Sequence, residues 1–211
     1  MKKPVVIIPA RAGSKRFVGK NPILWKYTEN FLKESNLFGK CYVSTDSEDV
    51  GKKAEDAGFV VINRHNSLSG DTVPIKPVIQ DVIAKYNLYD ELICIMYLTY
   101  PGRKKQEFID AIKYVSGNDT KSLLSFYESG DTPYLEKYYP DLDPVINHDL
   151  FRYQDYKKII NYTHYICMFY GEVLYSLDDQ LFSKELTYPF IVNKKPVDVD
   201  YREQLEQWIS D

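Results

Sequence analysis

Val5-Val6-Ile7-Ile8-Pro9-Ala10-Arg11-Ala12-Gly13-Ser14-Lys15-Arg16-Phe17-Val18-Gly19-Lys20-Asn21 decides how the rest of the chain is read. Val5 to Ile8 is apolar without interruption, which reads as a strand covered on both faces, the kind found in parallel sheets. Pro9 has no N–H to give to a ladder, so the strand should end there. Beyond it stand Arg11, Lys15, Arg16 and Lys20, with Gly13 and Gly19 to let the backbone turn and approach a ligand closely. Open α/β sheets hold their ligands at loops leaving the C-terminal ends of parallel strands. Cations interleaved with free backbone N–H groups at that place suit a polyphosphate. From charge alone, a solvated basic loop is the other reading. The glycine spacing fits neither G-x-G-x-x-G nor G-x-x-x-x-G-K-[ST], so the dinucleotide and P-loop fingerprints are excluded.

Outward from this stretch, strands and helices alternate. Tyr27 to Asn36 predicts a helix with Thr28 as a candidate cap, joined to the basic loop by a short connection, Pro22 to Lys26. Lys40 to Thr45 predicts a second strand. Asp46-Ser47 should open a helix that Gly58 ends, and Phe59 to Asn63 predicts a third strand. Asp46 and Asp71 are candidate caps, the latter for a helix over Val73 to Tyr86. Leu92 to Leu98 is the most apolar run and predicts the central strand. Gln106 to Val115 predicts a helix and Lys121 to Phe126 another strand. The expected class is α/β: a three-layer, mostly parallel sheet flanked by helices, Rossmann-like. All 211 residues are expected in one domain.

Composition narrows the function classes. A formal net charge of −3 gives no global attraction to nucleic acid. No apolar run approaches the roughly 18 residues of a membrane span, and no leader pattern is present. A cytoplasmic protein with no membrane partner is therefore expected. Cys41, Cys94 and Cys167 are odd in number and widely spaced, which argues for buried thiols rather than a disulfide framework or a zinc site.

Pro196-Val197-Asp198-Val199-Asp200 is the second stretch that carries chemistry. Its alternation is strand-like, and period two puts both carboxylates on one face and both valines on the other. Neighbouring carboxylates repel unless a cation holds them. Mg²⁺, a hard ion used beside phosphates, answers that need. A solvent-facing edge strand, with Asp200 capping the helix that follows, is the alternative.

Ile8-Pro-Ala-Arg-Ala-Gly-Ser-Lys-Arg16, with Gly19-Lys-Asn21, resembles the nucleotide-binding loop of the CMP-sialic acid synthetase (acylneuraminate cytidylyltransferase) family. Val43 to Glu48, Arg64 and the loop Leu68 to Thr72 resemble that family's next elements, and Val197 to Asp200 resembles its Asp-Ile-Asp metal element. The resemblance implies a nucleotide-diphospho-sugar transferase-like fold and transfer of CMP from CTP to a nonulosonic sugar acid. It implies that CTP contacts Ala10, Arg11, Ala12, Gly13, Ser14, Lys15, Arg16, Lys20, Asn21 and Arg64. Arg11, Lys15, Lys20, Asp198 and Asp200 would carry catalysis, the two aspartates holding Mg²⁺. Tyr97, Thr99, Arg103 and Gln154 would form the acceptor side. There the sequence departs from the family: Tyr97, Leu98 and Tyr100 stand where it has glutamine, proline and serine, and His164 where it has glycine. A satisfied structural role is expected for His164. The family also implies a homodimer, with residues 135–165, including the Arg152-Tyr-Gln-Asp-Tyr156 motif, as an excursion onto the second subunit. A nucleotidyltransferase for another sugar acceptor, and a non-catalytic nucleotide-binding protein, are the alternative classes.

Overall fold

The apolar runs of the N-terminal half become the middle of the molecule. The computed structural model describes residues 2–128 and 160–210. In it β1 (Val5–Pro9) lies between β2 (Cys41–Thr45) and β4 (Leu92–Ile95), parallel to both, with β3 (Val60–Asn63) parallel beyond β2. β6 (Ile160–Tyr170) pairs antiparallel with both β4 and β5 (Ser122–Glu128), and β7 (Thr187–Val192) lies parallel to β5. The seven strands are ordered β3-β2-β1-β4-β6-β5-β7, and β6 alone runs against the rest.

Strand alternation sorts the side chains into two cores. Val6, Ile8, Val43, Cys94 and Met96 pack on the side of α1 (Lys20–Ser35), α2 (Glu48–Asp56), α4 (Lys105–Gly117) and α5 (Arg202–Ser210). Val5, Ile7, Tyr42, Ile93 and Ile95 pack on the side of α3 (Ile75–Tyr86) and the short turn Gly171–Ser176. Val6, Ile7 and Ile8 are wholly buried. Each such side chain contributes about 1.5–3 kcal/mol on burial, so the run that organises the sequence also organises the core. The three-layer, mostly parallel α/β class is thus the observed one.

Several local expectations are corrected. α1 begins at Lys20, so Pro22 to Lys26 forms its first turns and is no connection. Gly19, at φ 72°, makes the left-handed entry, and Pro22 sits in the first turn, where no N–H partner is needed. Thr28 lies inside that helix, buried, and accepts a hydrogen bond from Arg103 Nη1 at 2.9 Å. Ser47, not Asp46, caps α2 by accepting from the Val50 N–H. Asp71 caps nothing, because α3 starts one residue after Pro74. Residues 197–200 form no strand: the Val199 N–H donates to the Thr99 carbonyl at 2.8 Å, and Val199 is buried while Val197 is exposed. Residues 160–165 of the predicted excursion belong to β6 in the sheet. The remainder of that excursion, with Gln154, lies outside the described residues.

Candidate functional site

From β1 the chain runs outward to β2 and β3, whereas β4 joins β1 on its other side. This reversal opens a crevice at the C-terminal ends of β1 and β4, the place where such sheets bind ligands. A cavity of about 220 Å³ lies there. Arg11, Ser14, Lys20 and Asn21 line it from the loop and the start of α1, Arg64 from the end of β3, and Tyr97 and Thr99 from the turn after β4.

The basic loop is held in shape by contacts to its backbone. Gly13 and Gly19 take φ of 75° and 72°, which only glycine adopts without strain. The Ala12 N–H donates to Asp46 Oδ1 at 2.6 Å, and Asn21 Nδ2 donates to the Arg11 carbonyl at 2.8 Å. The cations divide between two carboxylates. Arg11 pairs with one oxygen of Asp71, and Lys15 with the other at 2.5 Å. Lys20 and Arg16 take the two oxygens of Asp200 at 2.9 and 3.0 Å. Lys15 first, and then Arg11, hold the Asp71 carboxyl below the usual carboxylate range. Arg64 is buried and donates to the Ser44 carbonyl at 2.7 Å and the Ser44 hydroxyl at 3.3 Å. Burial lowers its pKa, and the nearby Arg11 acts in the same direction.

The structure separates the residues expected on the acceptor side. Tyr97 and Thr99 line the cavity, and burial pushes the Tyr97 phenol well above its ordinary range. Arg103 does not line it. Its guanidinium turns inward and donates to Thr28 Oγ1 at 2.9 Å, to the Tyr100 carbonyl at 2.6 Å and to the Tyr97 carbonyl. Arg103 therefore braces the 97–100 turn from behind, with its pKa lowered by burial to about 10. His164 donates from Nε2 to the Gln180 carbonyl at 2.8 Å and packs edge-on against Tyr97 at 5.4 Å, the structural role expected of it. The pairing of β5 with β6 shifts register between Leu124 and Ser125. There the Ser125 hydroxyl donates to the Thr163 carbonyl at 2.7 Å and accepts from the Ile166 N–H at 2.9 Å. Tyr100, also buried, bonds Thr163 Oγ1 at 3.0 Å. Burial above all, and then the Asp198 carboxylate, push its phenol up.

Asp46 and Asp71, read from the sequence as helix caps, instead contact the basic loop. The available signal was the basic loop itself, whose several cations require counter-ions. Among the described residues no group of three or more His, Cys, Asp or Glu side chains could hold a metal. Asp198 and Asp200 nevertheless offer carboxylate oxygens alone, a donor set that fits Mg²⁺, which takes one or two carboxylates and completes its shell with phosphates and water.

Comparison with known proteins places this geometry. Residues 5–101 match the family described as Cytidylyltransferase. An N-acylneuraminate cytidylyltransferase of Streptococcus agalactiae serotype V is 32% identical over 142 residues, which is 63% of this chain and 34% of the relative. One of Escherichia coli O18:K1:H7 is 27% identical over 218 residues, or 99% of this chain and 52% of the relative. A pseudaminic acid cytidylyltransferase of Campylobacter jejuni is 31% identical over 141 residues, 60% of this chain and 59% of the relative. The chain thus spans less than two thirds of the length of each of these curated relatives. A solved structure of CMP:2-keto-3-deoxy-manno-octonic acid synthetase complexed with CTP superposes with a TM-score of 0.74 at 15% identity, over 99% of this chain and 98% of that one. At that identity it shows the shared fold.

Proposed function

We propose, for a chain that belongs to the cytidylyltransferase family as a divergent member, that it transfers CMP from CTP to the anomeric hydroxyl of a nonulosonic acid and releases pyrophosphate. The observation that carries this reading is the cavity at the sheet's switch point, flanked by one loop's four cations and by the carboxylates of Asp71 and Asp200. In this reading the triphosphate lies over the loop. Arg11, Lys15 and Lys20 neutralise its charge, Ser14 hydrogen-bonds it, and Asn21 and Arg64 flank it. The acceptor's hydroxyl oxygen bonds to the α-phosphorus, the bond from that phosphorus to the bridging oxygen breaks, and pyrophosphate leaves while the hydroxyl proton is released. No protein nucleophile is needed; this chain's residues orient the two reactants and stabilise the charge that grows on the oxygens. Mg²⁺, held by Asp198 and Asp200, would supply further charge neutralisation at the phosphates.

The named relatives act on sialic-type acids, which supports an acceptor of that class. Tyr97, which lines the cavity, favours a second reading, a related sugar acid that meets a phenol there. A homodimer and a cytoplasmic location belong to the same proposal. No helix among the described residues is long and apolar enough to cross a membrane. The test is incubation with CTP, Mg²⁺ and a panel of N-acetylneuraminic, pseudaminic, legionaminic and octulosonic acids, with products identified by mass. One CMP-sugar acid is expected. CTP binding without any CMP adduct across the panel would overturn the reading.

A further inference from the structure

Among the described residues, Asp71 bonds only to the basic loop, and that singles it out. It caps no helix, its side chain is 39% exposed, and its two charge partners are Arg11 and Lys15, one on each carboxylate oxygen. The loop does not depend on Asp71 for its shape, since Asp46 holds the Ala12 N–H and Asn21 holds the Arg11 carbonyl. Two oxygens of one anion bridging an arginine and a lysine is how a phosphate would be bound at this place.

We propose that Asp71 is a built-in competitor for phosphate: its carboxylate occupies the two cations that a polyphosphate ligand takes, and so weakens the loop's hold on pyrophosphate. The inference rests on reading the loop as a phosphate site and adds what sets its affinity. A triphosphate carries enough charge to displace the carboxylate and engage the other cations too. Pyrophosphate and single phosphates bring less, so Asp71 returns to Arg11 and Lys15 as product departs. A lasting phosphate clamp would stall turnover; this one carries its own release.

The test is calorimetric titration of pyrophosphate and of CTP, without metal, into the wild-type chain, Asp71→Asn and Asp71→Ser. Both variants should bind pyrophosphate roughly 3- to 10-fold more tightly, the scale of two exposed ion pairs. The gain should shrink at high salt, where exposed pairs are screened. During turnover, pyrophosphate should inhibit the variants at correspondingly lower concentrations. Unchanged or weaker pyrophosphate binding in variants that melt like wild type overturns the proposal and leaves the phosphate site standing. If wild type and variants bind neither ligand, the phosphate reading of the loop falls, and this inference with it.

Discussion

Single side chains at this site differ sharply in how firmly they are placed, and that ranks their expected effects. The Lys20 side chain is only 12% exposed and lies 2.9 Å from Asp200, whereas that of Arg16 is 62% exposed at 3.0 Å from the same carboxylate. A preorganised cation in a partly dry site stabilises developing charge far better than a solvated one. Lys20→Ala should therefore slow pyrophosphate release about a hundredfold, on the order of 3 kcal/mol of barrier. Arg16→Ala should cost under about tenfold, since its exposed charge is screened by solvent. Equal losses in the two variants would contradict this ranking. Arg103 acts differently, through carbonyls it braces rather than through a reactant. Arg103→Lys keeps the charge but loses the fork that serves three oxygens. About 2 kcal/mol of stability should go with it, seen as a melting point lower by ~4–8 °C. The Michaelis constant for the acceptor should rise more than the turnover number falls.

At the level of elements, the β5–β6 irregularity carries His164 and Tyr165 to their places, and one hydroxyl serves both of its backbone groups. Ser125→Ala leaves the buried Ile166 N–H and Thr163 carbonyl short of a partner, which should cost about 1–3 kcal/mol in urea unfolding. The elements most legible in the sequence were those whose residues are buried on both faces. β1 and β4 follow apolar runs, because burial leaves no room for polar alternation. The start of α1 was illegible because Pro22 reads as a break, although a first turn tolerates it. The Val197–Asp200 alternation read as a strand, but alternation does not provide a neighbour to pair with; what the segment has is one backbone bond to Thr99.

The whole molecule places its thiols and several phenols out of water, and this sets its response to alkali. Cys41, Cys94 and Cys167 are free and buried, with Cys94 pushed up to about 12 by burial. Unfolded thiols ionise near pH ~8.5 and phenols near ~10. Above pH ~8.5 the unfolded chain therefore binds fewer protons than the folded one, and stability falls as pH rises. Below that pH the contribution is fully present. The urea midpoint should hold from pH 7 to 8 and drop by pH 10, and a thiol reagent at pH 8 should label the chain only after unfolding. At this scale the basic loop and the terminal aspartates were visible in the sequence as charge beside a buried strand. Their meeting was not, because Lys20 and Asp200 are 180 residues apart and only the sheet order brings them to one crevice. Whether that meeting makes a working site is decided by single-turnover pyrophosphate release from CTP, with Mg²⁺ and a nonulosonic acid, in the wild-type chain and Asp200→Asn. Release in the wild type, with CTP still bound but release lost at least a hundredfold in the variant, is the predicted result. Release at the wild-type rate in Asp200→Asn would contradict a site built from the basic loop and this carboxylate together.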